Sequence, residues 1–203
     1  MGILVLLAAL WAILAMVVLH RKAKSYGKRT LFAKPAGDPA QGALYAFTKG
    51  MAPWAKESVM LNLPSYAAGM AFHAGVFTAF GLLVVAMARL ELPSFPLFLA
   101  RVFTLAGAVG GFSLFVKRLI KPQLRGLSCP DDFVSNLLSS TFALLAFAWT
   151  LLPSIAGWWM AEATLLLIYA PLGKIRHCLF FFTTRYHLGA FFGRRGSYGS
   201  FHG

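Results

Sequence analysis

Residues 64–90 read PSYAAGMAFHAGVFTAFGLLVVAMARL, and this stretch decides the fold. No charged side chain occurs in it before Arg89, yet His73 stands inside it. A helix crossing the hydrocarbon core of a bilayer needs about 20 largely apolar residues. Runs of the same kind occupy residues 2–19, 96–119, 133–152 and 158–182. The chain is 59% hydrophobic and 12% charged, whereas a soluble domain is about half apolar and a quarter charged. The sequence therefore predicts an all-α membrane protein, a five-transmembrane-helix bundle, and its 203 residues suit a single domain, 1–203.

The net charge of +13 raises the question of a nucleic-acid partner, but the cations flank the apolar runs. Of the 19 Lys and Arg residues, all but Arg89 and Arg101 lie in residues 21–63, 121–132, the tail 185–203, or the last turns leading to them. Positive charge collects on the cytoplasmic side of membrane proteins. That bias places the amino terminus outside and the carboxyl terminus in the cytoplasm, and it argues against nucleic acid as partner. The first run is followed, not preceded, by His20-Arg21-Lys22, which marks an uncleaved anchor rather than a secretory signal. Within the loop 21–63, Ala52-Pro53-Trp54-Ala55-Lys56 suits a short helix in the headgroup layer. Cys129 and Cys178 lack CxxC spacing and lie near the cytoplasmic side, so neither a disulfide nor a cysteine-bound metal cluster is expected. The Gly/Ser-rich end, residues 193–203, is expected to be loose or to order against a partner subunit.

Hydrocarbon is a costly place for an imidazole, so a histidine within a span is a functional-site candidate. His73 lies about 14 Å from the inner end of the second run at 1.5 Å per residue. Counted as one continuous helix, the fifth run puts His177 about 8–12 Å from the same boundary. Two imidazoles at one depth can grip an iron porphyrin from both sides. Gly69, one turn before His73, leaves room on that face, and Gly107, Gly110 and Gly111 in the third run permit close helix approach. For either histidine alone, the plainer reading is a packed side chain bonded to a backbone carbonyl. Arg118, Lys174 and Arg176 lie near the inner interface, where cations orient the protein and also suit the propionates of a porphyrin. His20 and His187 read as surface residues, with a second site at the inner interface as the sharper alternative; His202 stands apart in the tail. Arg101 and Glu162 each lie one or two turns from the outer surface and are expected to form an ion pair, or else to line a proton path or quinone pocket.

Three stretches, in order, carry a family likeness. They are Phe72-His73-Ala74-Gly75; then Lys117-Arg118-Leu119-Ile120-Lys121-Pro122-Gln123-Leu124-Arg125 followed by Asp132; and Pro171-Leu172-Gly173-Lys174-Ile175-Arg176-His177 continuing to Arg185 and Gly193-Arg194-Arg195-Gly196. Over about residues 64–196 the chain resembles the gamma subunit of respiratory nitrate reductase and the related membrane cytochrome b subunits linked to sulfite and heterodisulfide reductases. The resemblance implies a b-type haem between the second and fifth spans, with His73 and His177 as axial iron ligands. It further implies quinone or quinol as mobile substrate, a cytoplasmic iron–sulfur protein subunit as partner, and a multi-pass place in a prokaryotic cytoplasmic membrane. The nitrate reductase pattern has another histidine about three turns earlier on the second helix. Leu63, with Asn62 beside it, stands there in this chain, which favours one haem, or a second held by unusual ligands.

Two imidazoles leave iron no open position, which suits electron transfer. The chain holds no nucleotide motif and no candidate catalytic residue, so any enzymatic activity belongs to a complex. The rival reading is a haem-free membrane anchor subunit; a small transporter is weaker, because no paired broken helices stand out.

Overall fold

A computed structural model describes residues 1–27 and 31–198. Every regular element among them is helical: α1 (Gly2–Ser25), α2 (Pro39–Phe47), α3 (Glu57–Met60), α4 (Leu63–Met87), α5 (Ser94–Ile120), α6 (Pro122–Gly126), α7 (Pro130–Leu151), α8 (Ala156–Tyr169) and α9 (His177–Arg194). Four of them, α1, α4, α5 and α7, are long and apolar enough to cross a membrane, and a fifth crossing exists if α8 and α9 are taken together as one broken span. This is a multi-pass membrane protein by length and composition. The four continuous helices match the predicted runs to within a few residues at most ends, α1 running longer, to Ser25. Proline sets several boundaries, because it lacks an N–H and fits a first turn. Pro39, Pro122 and Pro130 each stand in the first turn of a helix.

The fifth run is the exception. α8 stops at Tyr169 and α9 begins at His177, with Pro171 and Gly173 between them. Pro171 has no N–H to give to the carbonyl four residues back, and its ring crowds that turn. The backbone ladder accordingly closes on itself there, with Leu172 N and Gly173 N both donating to Tyr169 O at 2.9 and 3.0 Å. A continuous helix through residues 158–182 is therefore incorrect, because the apolar count outweighed a helix breaker inside it.

The chain divides into two compact units. The first, residues 1–15 and 64–175, holds a core of Val5, Leu82, Leu83, Phe142, Trp159 and Leu166 with small residues between them. Trp159 is fully buried and stacks on Trp149 at 4.6 Å between ring centres, and Phe142 continues the column to Phe80. Helices in lipid gain nothing from burying apolar area against each other, so close backbone approach decides their packing. At the α4–α5 crossing a Cβ on Gly107 would stand 2.6 Å from Gly75 Cα, and one on Gly110 would stand 2.6 Å from Ala68 O. Large side chains such as Phe77, Val84 and Val109 stay exposed, as lipid-facing residues do.

The second unit, residues 16–63 and 176–203, contains a packed pair of helices: α2 lies in the predicted loop 21–63, and α9 runs from the end of the predicted fifth span into the tail. Asp38 caps α2, its carboxylate accepting from Ala40 N at 2.8 Å. A Cβ on Gly193 would stand 2.6 Å from Gly42 Cα, and one on Gly189 would stand 2.7 Å from Gly42 O. Arg185 then donates to Ala46 O at 2.7 Å, a carbonyl that the end of α2 leaves open, and to Gly50 O at 2.9 Å in the 3₁₀ turn that follows. The segment around Trp54 is a short 3₁₀ turn, Pro53–Ala55, with Trp54 itself exposed. The residues beyond Tyr198, including His202, lie outside the described residues.

Gly193→Leu should separate α2 from α9 and cost at least the about 1–3 kcal/mol of an overpacked core. Gly81→Leu, at a position on α4 where a Cβ meets no atom within 4 Å, should not lower stability. Thermal denaturation of the detergent-purified variants checks both.

Candidate functional site

His73 sits on α4, four residues after Gly69. Its Nδ1 lies 2.7 Å from Gly69 O. A carbonyl only accepts, so Nδ1 is the donor in this bond, and in the neutral ring the lone pair lies on Nε2. Metal-binding imidazoles are commonly fixed in this way, one nitrogen bonded to a carbonyl and the other ligating. The backbone bond anticipated as the plainer reading is therefore present, and it is also the bond a ligand histidine uses. Phe72 and Phe77 flank the ring, with centroids at 5.7 and 6.4 Å. Gly69 keeps the adjoining turn open, since no described atom lies within 4 Å of its ideal Cβ.

His177 is the first residue of α9 and belongs to the second unit together with Arg176, whereas His73, Gly69, Arg118 and Lys174 belong to the first. The depth assigned to His177 by counting along one unbroken helix no longer follows, because the helix stops at Tyr169. Arg176 closes the 3₁₀ turn Lys174–Arg176 just ahead of His177.

Arg118 and Lys174 do come together, around a residue quoted earlier only as part of a motif. Asp132 Oδ2 is 2.7 Å from Lys174 Nζ, and Asp132 Oδ1 is 3.4 Å from Arg118 Nη1. Arg118 also donates to Ser128 Oγ at 3.0 Å, and Cys129 N donates to Asp132 Oδ2 at 3.0 Å. Next to it, Asp131 Oδ1 accepts from Ser135 Oγ at 2.9 Å and from Tyr169 Oη. Both carboxylates stand in the first turn of α7, where a helix favours negative charge. The pair ties the start of α7 to the end of α8 and to Lys174, so the interruption after Tyr169 is held at both edges. Paired acids before an apolar run were visible in the sequence, but their partners, 38 residues away in the case of Tyr169, were not.

No protein-family model, curated protein or solved structure matches the chain. The site is therefore read from its own chemistry. Among the described residues no three His, Cys, Asp or Glu side chains gather to hold a metal ion.

The expected ion pair between Arg101 and Glu162 does not form. Arg101 donates to Thr150 on α7 instead, from Nε to Oγ1 at 3.2 Å and from Nη2 to the backbone O at 2.6 Å. Glu162 Oε1 meets the Thr141 hydroxyl. Depth along the chain had placed the two charges at similar levels, but level alone does not say which neighbour each faces. His187 is exposed on α9 beside Tyr186, and His20 lies near the end of α1.

Asp132→Ala should lower the melting temperature of the purified protein by more than Lys174→Met does. The first substitution leaves two cations and the Cys129 N–H without their acceptor, while the second removes one exposed partner. Equal losses in a side-by-side thermal scan would count against the clamp.

Proposed function

We propose that this chain is the haem b subunit of a membrane oxidoreductase complex, carrying electrons between the quinone pool and a cytoplasmic iron–sulfur subunit. The observation that carries the reading is the bond between His73 Nδ1 and Gly69 O, which presents Nε2 as a ligand nitrogen beside an open turn of α4. His73 and His177 are the axial ligands, and Gly69 leaves room for the macrocycle. Two imidazoles would complete the coordination of a porphyrin iron, and among the described residues no cluster of three His, Cys, Asp or Glu offers a rival metal site. Bound haem supplies one-electron transfer without an open iron position. The chain's own residues hold the imidazole tautomer, keep an apolar setting, and offer Arg176 to a propionate. The basic segments of the second unit carry twelve of the 19 Lys and Arg against two of the six acidic residues. That charge suits an acidic cytoplasmic partner and, by the positive-inside bias, a cytoplasmic carboxyl terminus.

One observation favours the haem-free anchor as the second reading. Arg118 and Lys174, proposed above as partners for propionates, already flank Asp132. In that reading the helices hold cytoplasmic redox subunits at the membrane and carry no pigment.

Dithionite-reduced minus oxidised spectra of the purified protein separate the two. A b-type α band is expected, with haem content falling to background in His73→Ala and in His177→Ala. A missing band in protein prepared with haem supplied would sink the haem reading and leave the anchor.

A further inference from the structure

α1 is one continuous helix, Gly2–Ser25, and its residues 2–19 carry no charge. At 1.5 Å per residue that stretch extends about 27 Å, close to the about 30 Å of a hydrocarbon core. Arg21, Lys22 and Lys24 follow on the same helix within about 8 Å, so they emerge at the level of the lipid headgroups. All three are exposed. Among the described residues the ion pairs are those of Asp132, so none of these three cations has a carboxylate partner.

The second unit repeats one pairing of residue types. Tyr26 stands two residues after Lys24, Phe32 two before Lys34, and Trp54 two before Lys56. These aromatic residues are 79%, 93% and 77% exposed. The backbone beside Phe32 is nevertheless fixed. Arg194 Nη2 donates to Ala33 O at 2.6 Å, and Ala36 N donates to Arg194 O at 2.8 Å. Trp54 lies in the 3₁₀ turn Pro53–Ala55, nine residues before the first residue of α4. The segment is thus tied at both ends to spanning helices. An exposed ring beside a cation suits the headgroup layer, where the ring meets the acyl boundary and the cation meets phosphate. Cations at the end of α1 also favour its dipole, but the dipole accounts for neither Lys34, Lys56 nor the rings.

We infer that the second unit binds the membrane surface through anionic phospholipid headgroups. Its contacts are Arg21, Lys22 and Lys24 where α1 leaves the bilayer, and Trp54 with Lys56 ahead of α4. Charge selects the lipid, since twelve cations stand against Asp38 and Glu57, and Asp38 is committed to capping α2. Arg185 and Arg194 are held by carbonyls of the unit itself, which leaves the cations of α1 free for phosphate. An acidic protein would answer the charge as well. The length of α1, however, brings its cations to the phosphates whether or not a partner is docked. The site uses neither histidine and serves a haem subunit and a haem-free anchor alike.

Native mass spectrometry of the full-length protein in detergent, titrated with phosphatidylglycerol or phosphatidylcholine, tests this. The wild type is expected to prefer phosphatidylglycerol. Each cation neutralised should weaken that binding about fivefold, so Arg21→Gln/Lys22→Gln/Lys24→Gln loses about a hundredfold. The charge-preserving Arg21→Lys/Lys22→Arg/Lys24→Arg should keep it. In nanodiscs, quenching of tryptophan fluorescence by headgroup spin-labelled phosphatidylglycerol should fall in Trp54→Phe. Equal binding of the two lipids, full binding in the neutralised triple variant, or unchanged quenching in Trp54→Phe would each overturn the inference. So would tighter binding of soluble polyglutamate than of phosphatidylglycerol, which would mark a face for an acidic protein. If the triple variant does not insert, the wild-type preference and the about fivefold loss in Lys24→Gln decide.

Discussion

In a bilayer the apolar solvent rewards no helix for touching another, so association depends on how near two backbones come. Glycine sets that distance in both units of this protein. Gly75 meets Gly107 where α4 crosses α5, and Gly42 meets Gly193 where α2 lies on α9. Side chains in the wider gaps elsewhere, such as Phe142 and Trp159, fill space that these contacts have already defined. The position of His73 follows from the same constraint. It lies two residues before Gly75, on the same exposed face of α4 as Phe77.

Charge does a different job. The first unit carries two of its four carboxylates, Asp131 and Asp132, at the start of α7 and surrounds them with Lys174, Arg118, Ser135 and Tyr169. These bonds fasten a place where the helical ladder has been cut by Pro171. A break inside an apolar run exposes carbonyls that neither lipid nor the next turn satisfies. Here the end of α8 is closed by its own turn and the chain that follows is anchored through Lys174.

Much of this was legible in one dimension. The apolar runs at residues 2–19, 64–90, 96–119 and 133–152 become α1, α4, α5 and α7 because hydropathy and length alone determine such helices. The fifth run misled, since Pro171 and Gly173 were read through rather than as a stop. The helix pair in the second unit also left a trace, Gly189 and Gly193 four residues apart, but α2 lay in a segment read as a loop and α9 began inside the run read as the fifth span. Pairings across the fold were not legible. Asp132 with Lys174, or Arg101 with Thr150 in place of Glu162, depend on which way a helix is rotated, and charge counting carries no rotation. For the candidate site, the sequence supplied His73 and Gly69 as neighbours one turn apart; the tautomer came only with coordinates.

The shortness of α8 bears on the surrounding lipid. Its 14 residues extend about 21 Å, against a hydrocarbon thickness of about 30 Å. The 27 residues of α5 extend about 40 Å. Taken alone, α8 falls short of the hydrocarbon thickness, while α5 exceeds it. Acyl chains compress beside a short segment, while a long one tilts, and each adjustment costs a fraction of a kcal/mol per Å. A protein built this way deforms the sheet it sits in unevenly, and membranes of different thickness will hold it with different ease.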